Sequence, residues 1–200
     1  MHRSVMIIDN FLDNAAALRE AALRLDYPPN DAPFPGRNSF QRLNVDGIEQ
    51  EVSHLVGERL RPLHPPQSHG KFRLTLASDV GKARVHIDPA HWSGILYLSR
   101  PEDCTGGTDF FRHIRTGTDE APHTPEVLRE HGYSSFEEMH REIIERDTLD
   151  ERAWELTMRV PMRFNRLILL RPWLWHTAGR GFGDSVANGR LIYVLFFQAA

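Results

Sequence analysis

The sequence predicts an α+β chain whose core is a double-stranded β-helix, a jelly roll of two opposed sheets, with N-terminal helices and one helical insertion. Three observations predict it. From Lys71 onward short alternating or apolar segments follow one another: KFRLTLAS, ARVHID, SGILYLS, GGTDFF, WELTMRV, FNRLILL, WLWH and RLIYVLFF. Two stretches ahead of them carry helical periods instead. A polar, helix-rich interruption, about residues 112–153, separates GGTDFF from WELTMRV.

Taken in order, the opening VMII reads as a strand, and Asp13 as the N-cap of AAALREAALRL, where Leu18 and Leu25 fit a helical face. The stretch YPPNDAPFPGRN holds four prolines, which forbid regular structure and make it a fixed irregular loop able to border a pocket. GIEQEVSHLVGERL has apolar residues at 48, 52, 55, 56 and 60, a helical spacing that the following prolines end. In the insertion, Thr124 followed by Pro125 starts one helix. Ser135 with Glu138 three residues on reads as a capping box for a second, amphipathic one with Met139, Ile143 and Ile144 on its apolar side.

Two hundred residues at 40% hydrophobic content can bury one sizeable core, and no composition break divides them, so residues 1–200 read as a single domain. The net charge of -3 and the scattered arginines lack the basic stripe of a nucleic-acid binder. No apolar run suits a signal peptide or a membrane span, so a soluble cytoplasmic protein is expected. The single cysteine, Cys104, has no partner for a disulfide within the chain.

His86 and Asp88 stand two apart on a predicted strand, so their side chains leave one face and can meet one ion. By itself this is weak: 11 His and 13 Asp in 200 residues give about 0.7 chance His-x-Asp matches per chain. The second candidate is His176, on a later segment whose alternation puts Leu174 with His176 and Trp173 with Trp175. Two histidines and a carboxylate leave three positions open on a metal, the facial triad of non-haem iron(II) oxygenases. An oxygenase of that kind using 2-oxoglutarate needs a deep cation for the distal carboxylate. Arg190, at the head of the otherwise apolar RLIYVLFF, is placed for it.

The order HID, GILYLS, CTGGTDFF, RFNRLILLRPWLWHTAG and NGRLIYVLFF resembles the prolyl-4-hydroxylase-like branch of the 2-oxoglutarate and iron(II)-dependent dioxygenases. The likeness covers about residues 71–198 outside the insertion, together with the opening VMIIDNFL. It implies Fe(II) at His86, Asp88 and His176, 2-oxoglutarate at Arg190 with a supporting hydroxyl from Tyr97, and molecular oxygen as co-substrate. A small-molecule, amino-acid or peptidyl substrate would then be hydroxylated with release of succinate and CO2. The 14-residue gap from His176 to Arg190 is longer than that pattern, which leaves Arg180 as a substitute anchor.

A cupin-like metal enzyme without 2-oxoglutarate is the alternative, with Arg190 then structural. A silent jelly-roll binding module is a third reading, against which the intact ligand set argues. His91 and His113 are weaker ligand candidates, and the tryptophans are expected in the core. Arg171 reads as a substrate contact or a solvated charge. Of Thr108 and Asp109, alternation does not decide which faces the cavity. A carboxylate at position 88 leaves no place for chloride, so oxidation without halogenation is expected. The insertion is expected to cover the iron as a substrate lid, the plainer alternatives being a surface helix pair or a homodimer contact.

Overall fold

The structure, a computed structural model, describes residues 3–29 and 32–200; Asn30 and Asp31 of the proline-rich stretch lie outside the described residues. The chain opens with β1 (Val5–Ile8) and α1 (Ala15–Leu23), then β2 (Arg37–Asn38), α2 (Ile48–Val56) and β3 (Leu60–Pro62). Strands β4 (Lys71–Thr75), β5 (Trp92–Tyr97) and β6 (Gly107–His113) follow. The insertion carries α3 (Pro125–Glu130) and α4 (Phe136–Met139), which runs on as a wider π turn over His140–Glu145. Strands β7 (Trp154–Pro161), β8 (Leu167–Leu170), β9 (His176–Thr177) and β10 (Arg190–Ala199) complete the chain.

The strands form two antiparallel sheets. The larger runs β1-β8-β5-β10-β4-β2, with β3 paired to the end of β10, and the smaller runs β7-β6-β9. Alternation along each strand sorts the apolar residues into three layers. One face of the large sheet, with Leu167, Leu169, Leu191 and Leu195, packs on Ala22 and Val52 of the N-terminal helices. Its other face, with Tyr97, Ile168 and Ile192, meets Phe110 and Val160 of the small sheet. The outer face of the small sheet, with Phe111, Trp154 and Trp175, is covered by Leu128, Met139 and Ile143 of the insertion. The double glycine before TDFF has a steric cause: a Cβ on Gly107 would lie 1.9 Å from the Val160 carbonyl oxygen.

Several local expectations are corrected. The N-cap of α1 is Asn14 rather than Asp13. Helix α2 stops at Val56, because Gly57 takes a left-handed conformation that lets its N–H bond back to Ser53 and His54, and Leu60 already pairs in β3. Thr124 caps α3 as expected, but the reciprocal half of the second box is displaced: Ser135 accepts from Glu138 N, while the Glu138 carboxylate accepts from Ser134 N at 2.7 Å. ARVHID is not a strand. Among the described residues its ladder pair is His86 with His176, and its other backbone bonds run to Pro33, Thr148 and Pro172.

The insertion is not chiefly a cover. Met139, Ile143 and Ile144, read as its apolar side, face the back of the small sheet, and only its last residues, Leu149 and Glu151, line the cavity described below. Amphipathicity showed that this helix packs on something, but not on which face of the sheet. Among the described residues no helix is long and apolar enough to cross a membrane.

A buttress shares its stability with the core, whereas a loosely held lid does not. Ile143 is fully buried, so Ile143→Ala should cost about 2–5 kcal/mol of global stability in denaturant unfolding. An unchanged midpoint would show that the insertion is not part of the cooperative unit.

Candidate metal centre

Two irregular segments supply the metal-ligand candidates. His86 N donates to His176 O at 2.9 Å, His176 N returns a bond to His86 O at 3.2 Å, and Asp88 N donates to Pro172 O at 3.1 Å. This short antiparallel exchange sets His176 opposite His86, and the extended backbone places Asp88 on the same side as His86. The three ligand atoms lie within 4.8 Å of one another. His176 Nε2 is 3.4 Å from Asp88 Oδ2, and His86 Nε2 is 3.8 Å from Asp88 Oδ1.

The tautomers follow from the partners. His86 Nδ1 is 2.8 Å from the Arg84 carbonyl oxygen and His176 Nδ1 is 2.7 Å from that of Leu174. A carbonyl can only accept, so both protons sit on Nδ1 and both Nε2 lone pairs face the cluster. Burial, helped by the neighbouring His176, holds His86 down to about 4, so it is neutral near pH 7. Burial alone would raise Asp88, but the adjoining His176 and His86 imidazoles and the Ser93 hydroxyl outweigh it and bring the carboxyl to about 2. Ser93 Oγ donates to Asp88 Oδ2 at 2.8 Å and orients it. Neutral imidazole and ionised carboxylate are the forms a divalent metal takes up.

Thr148, at the end of the insertion, clips the first segment in place. Its Oγ1 accepts from Arg84 N at 2.9 Å and donates to Val85 O at 2.8 Å. Neither Thr148 nor Ser93 was singled out from the sequence. The Thr148 contact joins residues 63 positions apart, which no local pattern reveals, whereas Ser93 sits five residues past Asp88 at the start of β5.

A cavity of about 1110 Å³ opens on the cluster, walled by Thr75, Ile95, Ile192, Val194 and Phe196. Alternation along β10 puts Arg190 on the same face as Ile192, Val194 and Phe196. It is 1% exposed, and none of its three guanidinium nitrogens has a hydrogen-bond partner among the described residues. Burial pulls its pKa below the usual guanidinium value, yet an arginine stays charged. Its Cζ lies 5.8 Å from the ring centre of Tyr97, whose hydroxyl shares a 2.7 Å hydrogen bond with Thr108 Oγ1. The structure thus gathers His86, Asp88 and His176 into one cluster and Arg190 beside Tyr97.

The substitutes lie elsewhere in the structure. The Arg180 side chain is 95% exposed and reaches Glu151 at 4.0 Å. His91 bonds to Glu58 and Arg171, and His113 to Asp147 and Thr116, so neither joins the cluster. Arg171 is buried, paired with Glu58 and stacked 4.1 Å from the Trp92 ring centre, rather than solvated or in the cavity. Of the pair left open, Thr108 serves Tyr97, while Asp109 lines the cavity and holds Arg159 through two hydrogen bonds.

The arrangement of helices behind a large antiparallel sheet with a smaller sheet facing it is a fold this chain shares with solved structures. The chain is similar to HygX from Streptomyces hygroscopicus, solved with nickel, 2-oxoglutarate and hygromycin B bound, at 14% identity and a TM-score of 0.56 over 98% of this chain and 83% of that one. It is also similar to SnoN, the non-haem alpha-ketoglutarate-dependent epimerase from nogalamycin biosynthesis, at 14% identity and a TM-score of 0.51 over 98% and 79%. At the level of family the chain belongs to DUF6445, a family of unknown function whose profile matches residues 1–197. No curated protein matches it.

The Thr148 clip yields a direct test. Thr148→Val keeps the shape but removes the hydroxyl, leaving Arg84 N and Val85 O without their partner, and should cost about 1–3 kcal/mol. Hydrogen exchange at the Arg84 amide should quicken with it. Unchanged exchange there would mean that another group holds the segment.

Proposed function

We propose that this chain is an iron(II) oxygenase dependent on 2-oxoglutarate, with its two sheets forming the double-stranded β-helix of that class. The observation that carries the reading is Arg190: a buried guanidinium without a hydrogen-bond partner among the described residues, on the cavity-facing side of an apolar strand. An uncompensated buried charge is costly, so a site that keeps one is built for an anion that arrives from outside. A cupin-like enzyme without 2-oxoglutarate leaves that charge unexplained.

His86 and His176 would hold Fe(II) through Nε2 and Asp88 through a carboxylate oxygen, a donor set that suits this metal. Arg190 would pair with the distal carboxylate of 2-oxoglutarate, and Tyr97 would offer a hydrogen bond beside it. Bound iron supplies the activation of oxygen that couples decarboxylation of 2-oxoglutarate to oxidation of a C–H bond. In the overall balance one oxygen atom enters succinate, the other enters the substrate as a hydroxyl group, and CO2 leaves. Apolar walls at Ile95, Ile192 and Val194 keep water from the reacting centre. With a carboxylate at position 88, a halide finds no vacated ligand place, which favours hydroxylation. The ligands bound to HygX and the cofactor in the name of SnoN support the reading, and the cavity volume suits a small-molecule or peptidyl substrate.

The test is oxygen consumption, succinate release and iron content measured on one set of proteins. Wild type should consume oxygen only with 2-oxoglutarate present, and His176→Ala should lose stoichiometric iron. Arg190→Met should raise the 2-oxoglutarate concentration for half-maximal rate about tenfold or more, since a charge-assisted pair contributes about 1.5–3 kcal/mol. Oxygen uptake indifferent to 2-oxoglutarate would overturn the proposal, and an unchanged requirement in Arg190→Met would dismiss the anchor.

A further inference from the structure

A short proline strap, residues 33–36, lies beside the cluster of ligand candidates. Lys82 N and Ala83 N both donate to Pro33 O, at 2.6 and 2.9 Å. The Arg73 guanidinium, largely buried, donates to Phe34 O at 2.8 Å, to Pro35 O at 2.6 Å and to Asn38 Oδ1 at 2.9 Å. The strap is tightly seated: a Cβ on Gly81 would lie 2.5 Å from Pro35 Cδ, and one on Gly36 would lie 2.4 Å from Thr75 Oγ1. So fixed, it lays the Phe34 ring against the His86 imidazole, with ring centres 4.2 Å apart and planes tilted by 43°.

Phe34 also lines the cavity, and so do Val80 and Leu149, two of the large apolar side chains that the fold leaves exposed. Val80 adjoins Gly81, which packs on the strap, and Leu149 adjoins Thr148, which clips Arg84 and Val85. An apolar ring against a metal-ligand candidate and two exposed apolar residues on the walls of the same opening make a surface that water covers poorly. Arg84 and Arg180, both on that cavity's lining, share the one carboxylate of Glu151, at 3.4 and 4.0 Å. At this edge of an apolar wall two guanidiniums share one carboxylate, while the lining as a whole carries four arginines and four carboxylates.

We propose that Phe34 is a specificity-determining residue that receives an apolar group of the substrate beside His86, with Arg84 and Arg180 meeting an anionic group at the opening. The substrate class is a small amphipathic acid. Arg73 is a positioning residue, acting through the two carbonyls that fix Phe34. The inference rests on the oxygenase reading above and deepens it.

The experiment uses the full chain loaded with nickel in place of iron, so that nothing turns over, and with 2-oxoglutarate. Binding is measured by calorimetry for size-matched probes: N-acetyl-leucine against N-acetyl-asparagine, and N-acetyl-phenylalanine against N-acetyl-histidine. Wild type should bind the apolar member of each pair about tenfold tighter or better. Phe34→Ala should shrink that preference to about twofold, and Phe34→Leu, which restores an apolar side chain, should recover most of it. No apolar preference in wild type, no binding by any probe, or a preference that survives in Phe34→Ala would each overturn the assignment. Nickel and 2-oxoglutarate are titrated first on the same sample. If they fail to bind, the oxygenase reading falls and the proposal with it; if they bind and the pairs do not separate, only the role of Phe34 falls.

Discussion

The candidate site depends on one antiparallel residue pair, the two backbone hydrogen bonds exchanged by His86 and His176. Neither residue lies in a long strand: His86 has only this bridge, and β9 is two residues long. A slip of one residue in either segment would turn a ligand candidate to the opposite side, because side-chain direction alternates along extended backbone. The register is pinned from outside the pair, by Asp88 N on Pro172 O and by the Thr148 hydroxyl on Arg84 and Val85. This explains why the insertion belongs to the site without covering it. Packing Met139 and Ile143 against Trp154 and Trp175 places Thr148 where the first ligand segment needs it.

The second feature is electrostatic. The space between the sheets is apolar at Ile168, Ile192 and Val160, and into it the fold admits one guanidinium that its own described side chains leave without a hydrogen bond. Nearby Asp109 contributes attraction at a distance but is committed to Arg159 through two hydrogen bonds. Such a charge lowers the stability of the empty protein and strengthens the hold on an entering carboxylate, a trade between folding and binding typical of preorganised sites.

Most of the framework was legible in the sequence because it rests on periodicity. Strands β1, β4 to β8 and β10, helix α1 and the Thr124 cap all follow from local pattern, and the pairing of Trp173 with Trp175 in one cluster, away from Leu174, follows from alternation. Arg190 stood out as a charge heading an apolar run. What was not legible depends on contacts distant in sequence. ARVHID alternates like a strand, but among the described residues its ladder is the one bridge to His176, and its other partners are Thr148 and the carbonyls of Pro33 and Pro172. The insertion displays an apolar face without saying which side of the sheet receives it. Phe34 lies in a stretch recognised as a fixed loop beside a pocket, yet its place against His86 is set by Arg73 and the 77–83 loop, which local pattern does not connect to it.

The most direct measurement is a high-resolution crystal structure of the protein grown with nickel and 2-oxoglutarate. The account predicts one metal ion bound by Nε2 of His86, Nε2 of His176 and a carboxylate oxygen of Asp88, with 2-oxoglutarate on the metal and its far carboxylate paired to both terminal nitrogens of Arg190. A metal held by other residues, or 2-oxoglutarate bound with the Arg190 guanidinium still unpaired, would contradict it.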